Sequence, residues 1–370
     1  MSTTDRLVAA NTRFGFKLFS EIAKQDAGKN VFISPFSVAA ALAMTYNGAS
    51  GETQRAMAET LELNGMSLDE VNQANAALRQ TLEELDPQVQ LAIANSLWLK
   101  HGETFRPEFV QRGQSFYDAE VANFSNGDAP VINGWARRKT QDKIKELVTD
   151  ADVAMSILML INAIYFKGNW TAQFDKTQTQ DGEFALLNGE RKKHPMMYQS
   201  GSYKYYQGKG FQAVSLPYGN EKVSMYIFLP HQDSNLDEFQ KSLTATNWER
   251  WATRFHGTEG RIVLPRFKVE YEINLNGALV ALKMGIAFGE NADFRELKSP
   301  PAFISNIIHK TFMEVNEEGT EAAAATAVMI GLSASFNAPF TMIVDRPFFC
   351  AIRDNETGTL LFMGSIVDPQ

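Results

Sequence analysis

The sequence predicts an α+β fold, and three observations carry that prediction. Helical periodicity dominates the segment before residue 86, and apolar or alternating strand-like runs dominate the remainder. The two kinds of segment are interspersed without regular βαβ alternation, which argues against a doubly wound parallel sheet. The chain has 370 residues, enough for one large domain or for two or three ordinary ones. No Gly/Ser linker, charge block, low-complexity tract or internal repeat divides it, so a single domain over residues 1–370 is expected. With 44% hydrophobic residues, including 26 Phe and 14 Met, the material for a large core is present.

Taken in order, the elements begin with an amphipathic N-terminal segment that gathers Leu7, Phe14, Leu18, Phe19 and Ile22. Residues 37–44 and 52–63 have helical patterns, and Gly48 and Gly51 mark the break between them. Residues 67–85 form an acidic amphipathic helix. Residues 89–99 alternate in part and end in Trp98-Leu99-Lys100, a strand. A helix is expected over 131–148, with Trp135, Ile144 and Leu147 inward and Arg137, Arg138, Lys139, Lys143 and Lys145 outward. Residues 156–166 are nearly all apolar, as in a strand buried on both faces. Strands over 202–206, 212–216, 224–229, 260–264 and 311–315 complete a β-rich body.

Several function classes are disfavoured. The net charge of −8 and the sequence pI near 5.3 argue against nucleic acid or an anionic membrane as partner. One Cys, Cys350, permits no intramolecular disulfide framework and reads as a buried hydrophobe. The five His are scattered (His101, His194, His231, His256 and His309), so no metal-ligand spacing arises and no cofactor is expected. No apolar run is long enough to span a membrane, and no basic-then-apolar leader opens the chain. The expected location is the cytosol, or the extracellular space if a leader has been removed.

The most informative stretch is Glu317-Glu318-Gly319-Thr320-Glu321-Ala322-Ala323-Ala324-Ala325-Thr326, with Gly331, Ser333, Asn337 and Pro339 beyond it. Four alanines suit a helix, but the later Gly, Ser, Asn and Pro favour a loop. Read with strand parity, Thr320, Ala322, Ala324, Thr326 and Val328 share one uncharged face, and Glu321 falls on the other. This segment can live as a loop or as a strand.

Such a switch resembles the reactive-centre loop of the serpins, and the resemblance runs through the chain. Asn30-Val31-Phe32-Ile33-Ser34-Pro35-Phe36-Ser37, Asn162-Ala163-Ile164-Tyr165-Phe166-Lys167-Gly168-Asn169-Trp170, His309-Lys310 and Met342-Ile343-Val344-Asp345-Arg346-Pro347-Phe348-Phe349 are similar to that family's landmarks in order and spacing. The resemblance implies three β-sheets, about nine helices and an exposed reactive-centre loop at about 317–340. It also implies a five-stranded central sheet able to accept a sixth strand.

The function implied is suicide-substrate inhibition rather than catalysis. A target serine endopeptidase cleaves the loop, and the freed arm inserts into the central sheet before the acyl-enzyme hydrolyses. The protease is carried to the far pole and held in a covalent complex. The 17 residues from Glu317 to Ser333 would span roughly 55 Å as a strand, about the diameter of a protein this size. Such an inhibitor is metastable, protected by a barrier until it is cut. The alternative is a non-inhibitory serpin acting as chaperone, carrier or storage protein.

By the family's count the reactive bond is Ser333–Ala334, with Leu332–Ser333 as the neighbouring register. Neither bond offers Arg or Lys, so elastase-, subtilisin- or chymotrypsin-like enzymes are the expected targets, with papain-type cysteine proteases as a further class. Ser34, Ser37, Asn162 and His309 invite a hydrolase reading, but no Gly-x-Ser-x-Gly elbow surrounds either Ser. The resemblance makes them a buried structural gate under the central sheet. It also places Trp170 and Arg266 at the breach where insertion begins, with Arg266 facing Glu317 in a surface ion pair. Asp69, Glu70, Glu83, Glu84 and Asp86, with only Arg79 among them, oppose heparin activation. A monomer is expected, with loop-sheet polymers under stress.

Overall fold

The computed structural model describes residues 1–84, 86–299, 302–320 and 339–370. The chain begins with α1 (Thr3–Gln25), β1 (Val31–Ile33), α2 (Pro35–Tyr46), α3 (Gly51–Thr60) and α4 (Leu68–Glu83). Then come β2 (Val89–Lys100), α5 (Pro107–Tyr117), β3 (Glu120–Phe124), α6 (Ala129–Lys139), α7 (Asp150–Met155) and β4 (Leu158–Asn169). The middle holds β5 (Gln180–Ala185), β6 (Arg191–Gly208), β7 (Phe211–Tyr218), β8 (Val223–Pro230), α8 (Leu236–Ser242) and α9 (Ala245–Ala252). Next are β9 (His256–Pro265), β10 (Phe267–Asn274), α10 (Asn276–Leu279) and β11 (Asn306–Val315). The two-residue β12 (Gly319–Thr320), β13 (Phe340–Ile343), β14 (Phe348–Asp354) and β15 (Leu360–Ile366) complete the order.

Among the described residues there are ten α-helices, one more than the resemblance implied. The three expected sheets resolve into two continuous hydrogen-bonded ladders. A nine-stranded ladder runs β1-β15-β14-β8-β7-β6-β9-β13 with β5 attached to β6, and a six-stranded one runs β10-β11-β12-β4-β2-β3. The fusion has a cause in β6, which is 18 residues long. It pairs with β5 over its first part, with β9 over its middle and with β7 at its end, and so joins two sheets into one.

The expected helix over 131–148 is shorter than its pattern. It stops at Lys139 because Gln141 and Asp142 adopt left-handed φ of 52° and 62°. The Asn133 side chain then holds the onward chain, accepting from the Leu147 and Val148 amides at 2.7 and 3.1 Å. Ile144 and Leu147 are buried as the pattern required, but from an irregular segment of turns rather than a helix.

The β4 strand shows why its sequence is apolar throughout. Leu158, Leu160, Ile164 and Phe166 enter the main core, while Met159, Ile161, Ala163 and Tyr165 enter a second core with Trp98, Trp135 and Ile144. Successive side chains thus meet α2 on one face and α6 on the other. Asn162 shares the parity of the main-core set, so an amide is turned toward α2 in the middle of the sheet. No helix among the described residues is long and apolar enough to cross a membrane.

Candidate functional site

The geometry of the six-stranded sheet is set by one interruption. β11 and β4 pair directly, in parallel, from Asn306↔Met159 to Phe312↔Tyr165. Beyond that point they part, and β12 occupies the gap. It pairs antiparallel with both neighbours, Gly319↔Asn169 and Thr320↔Gly168 on one side and Val315↔Thr320 on the other. The sheet is closed along most of the seam and already holds two residues of the arm at its upper end.

Across the closed part lies a row of polar side chains facing α2. Asn95 of β2 is in register with Asn162 of β4, and Asn162 with His309 of β11. Nε2 of His309 accepts the Ser34 backbone N–H at 3.1 Å, which leaves the ring proton on Nδ1, 2.6 Å from Asn162 Oδ1. The Asn162 amide in turn donates to Asn95 Oδ1 at 2.6 Å and to Ser37 Oγ. Ser34 is the N-cap of α2: its hydroxyl accepts from the Ser37 N–H at 3.2 Å, and Pro35 occupies the first helical position. All five residues are buried. The structure therefore brings Ser34, Ser37, Asn162 and His309 together. Burial pushes the His309 pKa down from 6.5 to about 3, so the ring is neutral and serves Ser34 as acceptor and Asn162 as donor. Among the described residues no carboxylate takes part in the network, and the imidazole is spent on a backbone amide and an asparagine.

At the entry of the arm the contacts are of another kind. Arg266 grips the Glu317 carboxylate in a fork, Nε to Oε1 at 2.8 Å, Nε to Oε2 at 3.0 Å and Nη2 to Oε1 at 2.6 Å. The pair differs from the surface pair expected, since the Glu317 side chain is 2% exposed and that of Arg266 43%. Burial pushes the Glu317 carboxyl up, but the bonds from Arg266 and Thr179 outweigh it and hold its pKa below the ordinary 4.5. Glu318 pairs with Lys176, and its carbonyl accepts the Trp170 N–H at 2.9 Å. The Trp170 indole N–H donates to the Asn316 carbonyl at 2.9 Å, and its ring stacks on Tyr218 with centroids 4.4 Å apart.

Gly319 enters the sheet where no side chain fits. Its φ is 151°, and a Cβ there would lie 2.1 Å from the Gly168 carbonyl oxygen. Thr320 is fully buried, and its hydroxyl meets the Tyr218 hydroxyl at 2.7 Å. The loop expected to be exposed from 317 to 340 is thus buried at its start, because Gly319 pairs with β4 and Thr320 with both β4 and β11. Phe340, at its other end, is buried in β13 and stacks on Tyr205 at 4.0 Å. Glu321, Ala322, Ala323, Ala324, Ala325 and Thr326 of the hinge, and Leu332, Ser333 and Ala334 of the reactive bond, lie outside the described residues.

Two contributors carry no signal in the sequence. Asn95 sits inside a partly alternating strand, and Tyr218 at the end of another. Only the register across β2 and β4, and the contact between β7 and β12, give them partners.

The site is thus a seam between parallel strands, with a buried polar row along it and an antiparallel chain already entering at one end. The comparisons with known proteins agree with that architecture. The family model described as "Serpin (serine protease inhibitor)" matches residues 9–369, and the chain belongs to the serpin family. Leukocyte elastase inhibitor of Homo sapiens is 35% identical over 388 residues, covering 99% of this chain and 100% of that protein. The crystal structure of the thermophilic serpin tengpin in its native state matches with a TM-score of 0.89 at 30% identity, covering 98% of this chain and 94% of that one. Human thyroxine-binding globulin matches with a TM-score of 0.92 at 25% identity and full coverage of both chains.

Proposed function

We propose that this serpin is a single-domain inhibitor that traps serine endopeptidases as a suicide substrate, cut at Ser333–Ala334 and held as a covalent acyl-enzyme. The observation that carries this reading is the antiparallel entry of β12 between two parallel strands. An arm that continues downward from Thr320 replaces one parallel ladder by two antiparallel ones, each slightly more stable per residue. Free energy therefore favours the longer insert, and only the closed seam delays it.

Register supports the same reading. Six residues below Thr320, an arm continuing in β12's register brings Thr326 opposite both Asn162 and His309. A hydroxyl would then arrive where insertion parts the imidazole from the amide. Thr320, Ala322, Ala324 and Thr326 would all face the main core without burying a charge, as rapid insertion requires. The lack of Arg or Lys near the bond favours elastase-, subtilisin- and chymotrypsin-like targets over trypsin, with papain-type enzymes as a further class. The likeness to leukocyte elastase inhibitor points the same way.

The test is to mix the protein with elastase, subtilisin, chymotrypsin and trypsin and separate the products on denaturing gels. A denaturant-resistant complex with one of the first three, releasing a peptide that starts at Ala334, is the expected result. Cleavage without a complex, and without a gain in thermal stability, would replace this reading by the carrier role that the likeness to thyroxine-binding globulin favours.

A further inference from the structure

We propose that Tyr218 is a positioning residue for insertion: its hydroxyl holds the Thr320 hydroxyl and keeps the arm threaded in the sheet before any protease arrives. This inference rests on the inhibitory reading above and deepens it.

Four observations converge on the contact. The two hydroxyls are 2.7 Å apart, and both residues are fully buried. Neither hydroxyl has water to fall back on, so each satisfies the other. Tyr218 belongs to β7 of the nine-stranded sheet, whereas Thr320 lies in the six-stranded one. The arm is therefore held partly by a sheet that its insertion does not enlarge. The Tyr218 ring is fixed on two sides, stacked on Trp170 and edge-on to Phe166 with centroids 5.1 Å apart. That leaves the hydroxyl one direction to point.

β12 is too short to hold its place by strand pairing alone. Two residues bring few ladder bonds, and Gly319 loses more backbone freedom on ordering than any other residue type would. The Tyr218–Thr320 bond supplies what the short strand lacks. Insertion can begin only from the docked arrangement, so its rate scales with the docked fraction of molecules. Losing a fully buried hydroxyl partner lowers that fraction, because the remaining hydroxyl is left unsatisfied. A lower fraction sends more cleaved molecules to hydrolysis.

The experiment compares Tyr218→Phe, Thr320→Val, Thr320→Ser and the Tyr218→Phe/Thr320→Val double variant with the parent chain. The first readout, independent of any protease, is hydrogen exchange of the Gly319 and Thr320 amides. Tyr218→Phe and Thr320→Val are expected to speed exchange about three- to tenfold, Thr320→Ser much less, and the double variant no more than either single one. The second readout is the ratio of cleaved inhibitor to covalent complex, expected to rise by a smaller factor in the same variants and to be rescued in Thr320→Ser. Exchange that is unchanged in Tyr218→Phe, or strictly additive effects in the double variant, overturns the latch. Faster exchange in Tyr218→Phe together with no complex for the parent chain upholds the latch and refutes the inhibitory reading instead.

Discussion

The centre of the six-stranded sheet and its upper entry are held by different chemistry. At the centre Asn95, Asn162, His309, Ser34 and Ser37 form an uncharged network, wholly buried, in which the His309–Asn162 bond crosses the seam and the others tie its two strands to α2 and β2. At the entry Arg266, Lys176, Trp170 and Tyr218 hold Glu317 to Thr320 from outside the seam, with charge partly open to water. Bonds that cross the seam must break when strands part, whereas bonds beside it survive. If the sheet opens as proposed, resistance to opening is expected at the centre, and its direction is expected to be set at the entry.

The largest effect should come from removing the residue that spans the seam. His309→Leu orphans the Ser34 N–H and the Asn162 carbonyl, each worth about 1–3 kcal/mol when left without a partner. We expect a loss of about 4 kcal/mol, read from the urea midpoint, and faster polymer growth on mild heating. A variant that keeps the parent's thermal inactivation rate would place the barrier elsewhere.

The same imidazole predicts a pH profile. The unfolded chain takes up this proton near pH 6.5, but the folded gate only near pH 3, so stability falls as pH drops through that window. Between about pH 6.5 and 5 the parent should lose about 2 kcal/mol from this group, and His309→Gln should lack that part of the slope.

Breaking the entry should cost less and act locally. Arg266→Met leaves the buried Glu317 carboxylate without its cation, worth about 2 kcal/mol once the exposure of Arg266 is discounted. Because the carboxyl's folded pKa is depressed, the pair's contribution is complete above pH 4.5 and lost as pH falls below it. Hydrogen exchange at residues 318–320 should report both, with the centre of the sheet unmoved. If exchange rose equally at Asn162, centre and entry would be one cooperative unit.

The smallest effect belongs to the rim of the row. Asn95→Ala leaves the Asn162 amide its bond to Ser37, and the urea midpoint should fall by about 1 kcal/mol. A loss matching that of His309→Leu would extend the gate to β2.

How much of this the sequence disclosed depended on distance along the chain. The apolar run of β4 is a local pattern, and it reads correctly as a strand buried on both faces. Ser34, Ser37, Asn162 and His309 can be grouped only through the family resemblance, since nothing local links residues so far apart. Asn95 and Tyr218 stay hidden because strand register and the approach of two sheets leave no periodic trace. The end of α6 at Lys139 is concealed for a subtler reason: Ile144 and Leu147 keep helical spacing after the backbone has turned at Gln141 and Asp142.

Gly319 has one further consequence. The residues that engage the sheet, Gly319 and Thr320, lie 13 or more positions upstream of the bond proposed at Ser333. Docking and bait are therefore written in separate stretches of chain. On the inhibitory reading, a new cleavage sequence of equal length after Thr326 is expected to redirect the molecule to another enzyme while the first tooth of its ratchet stays engaged.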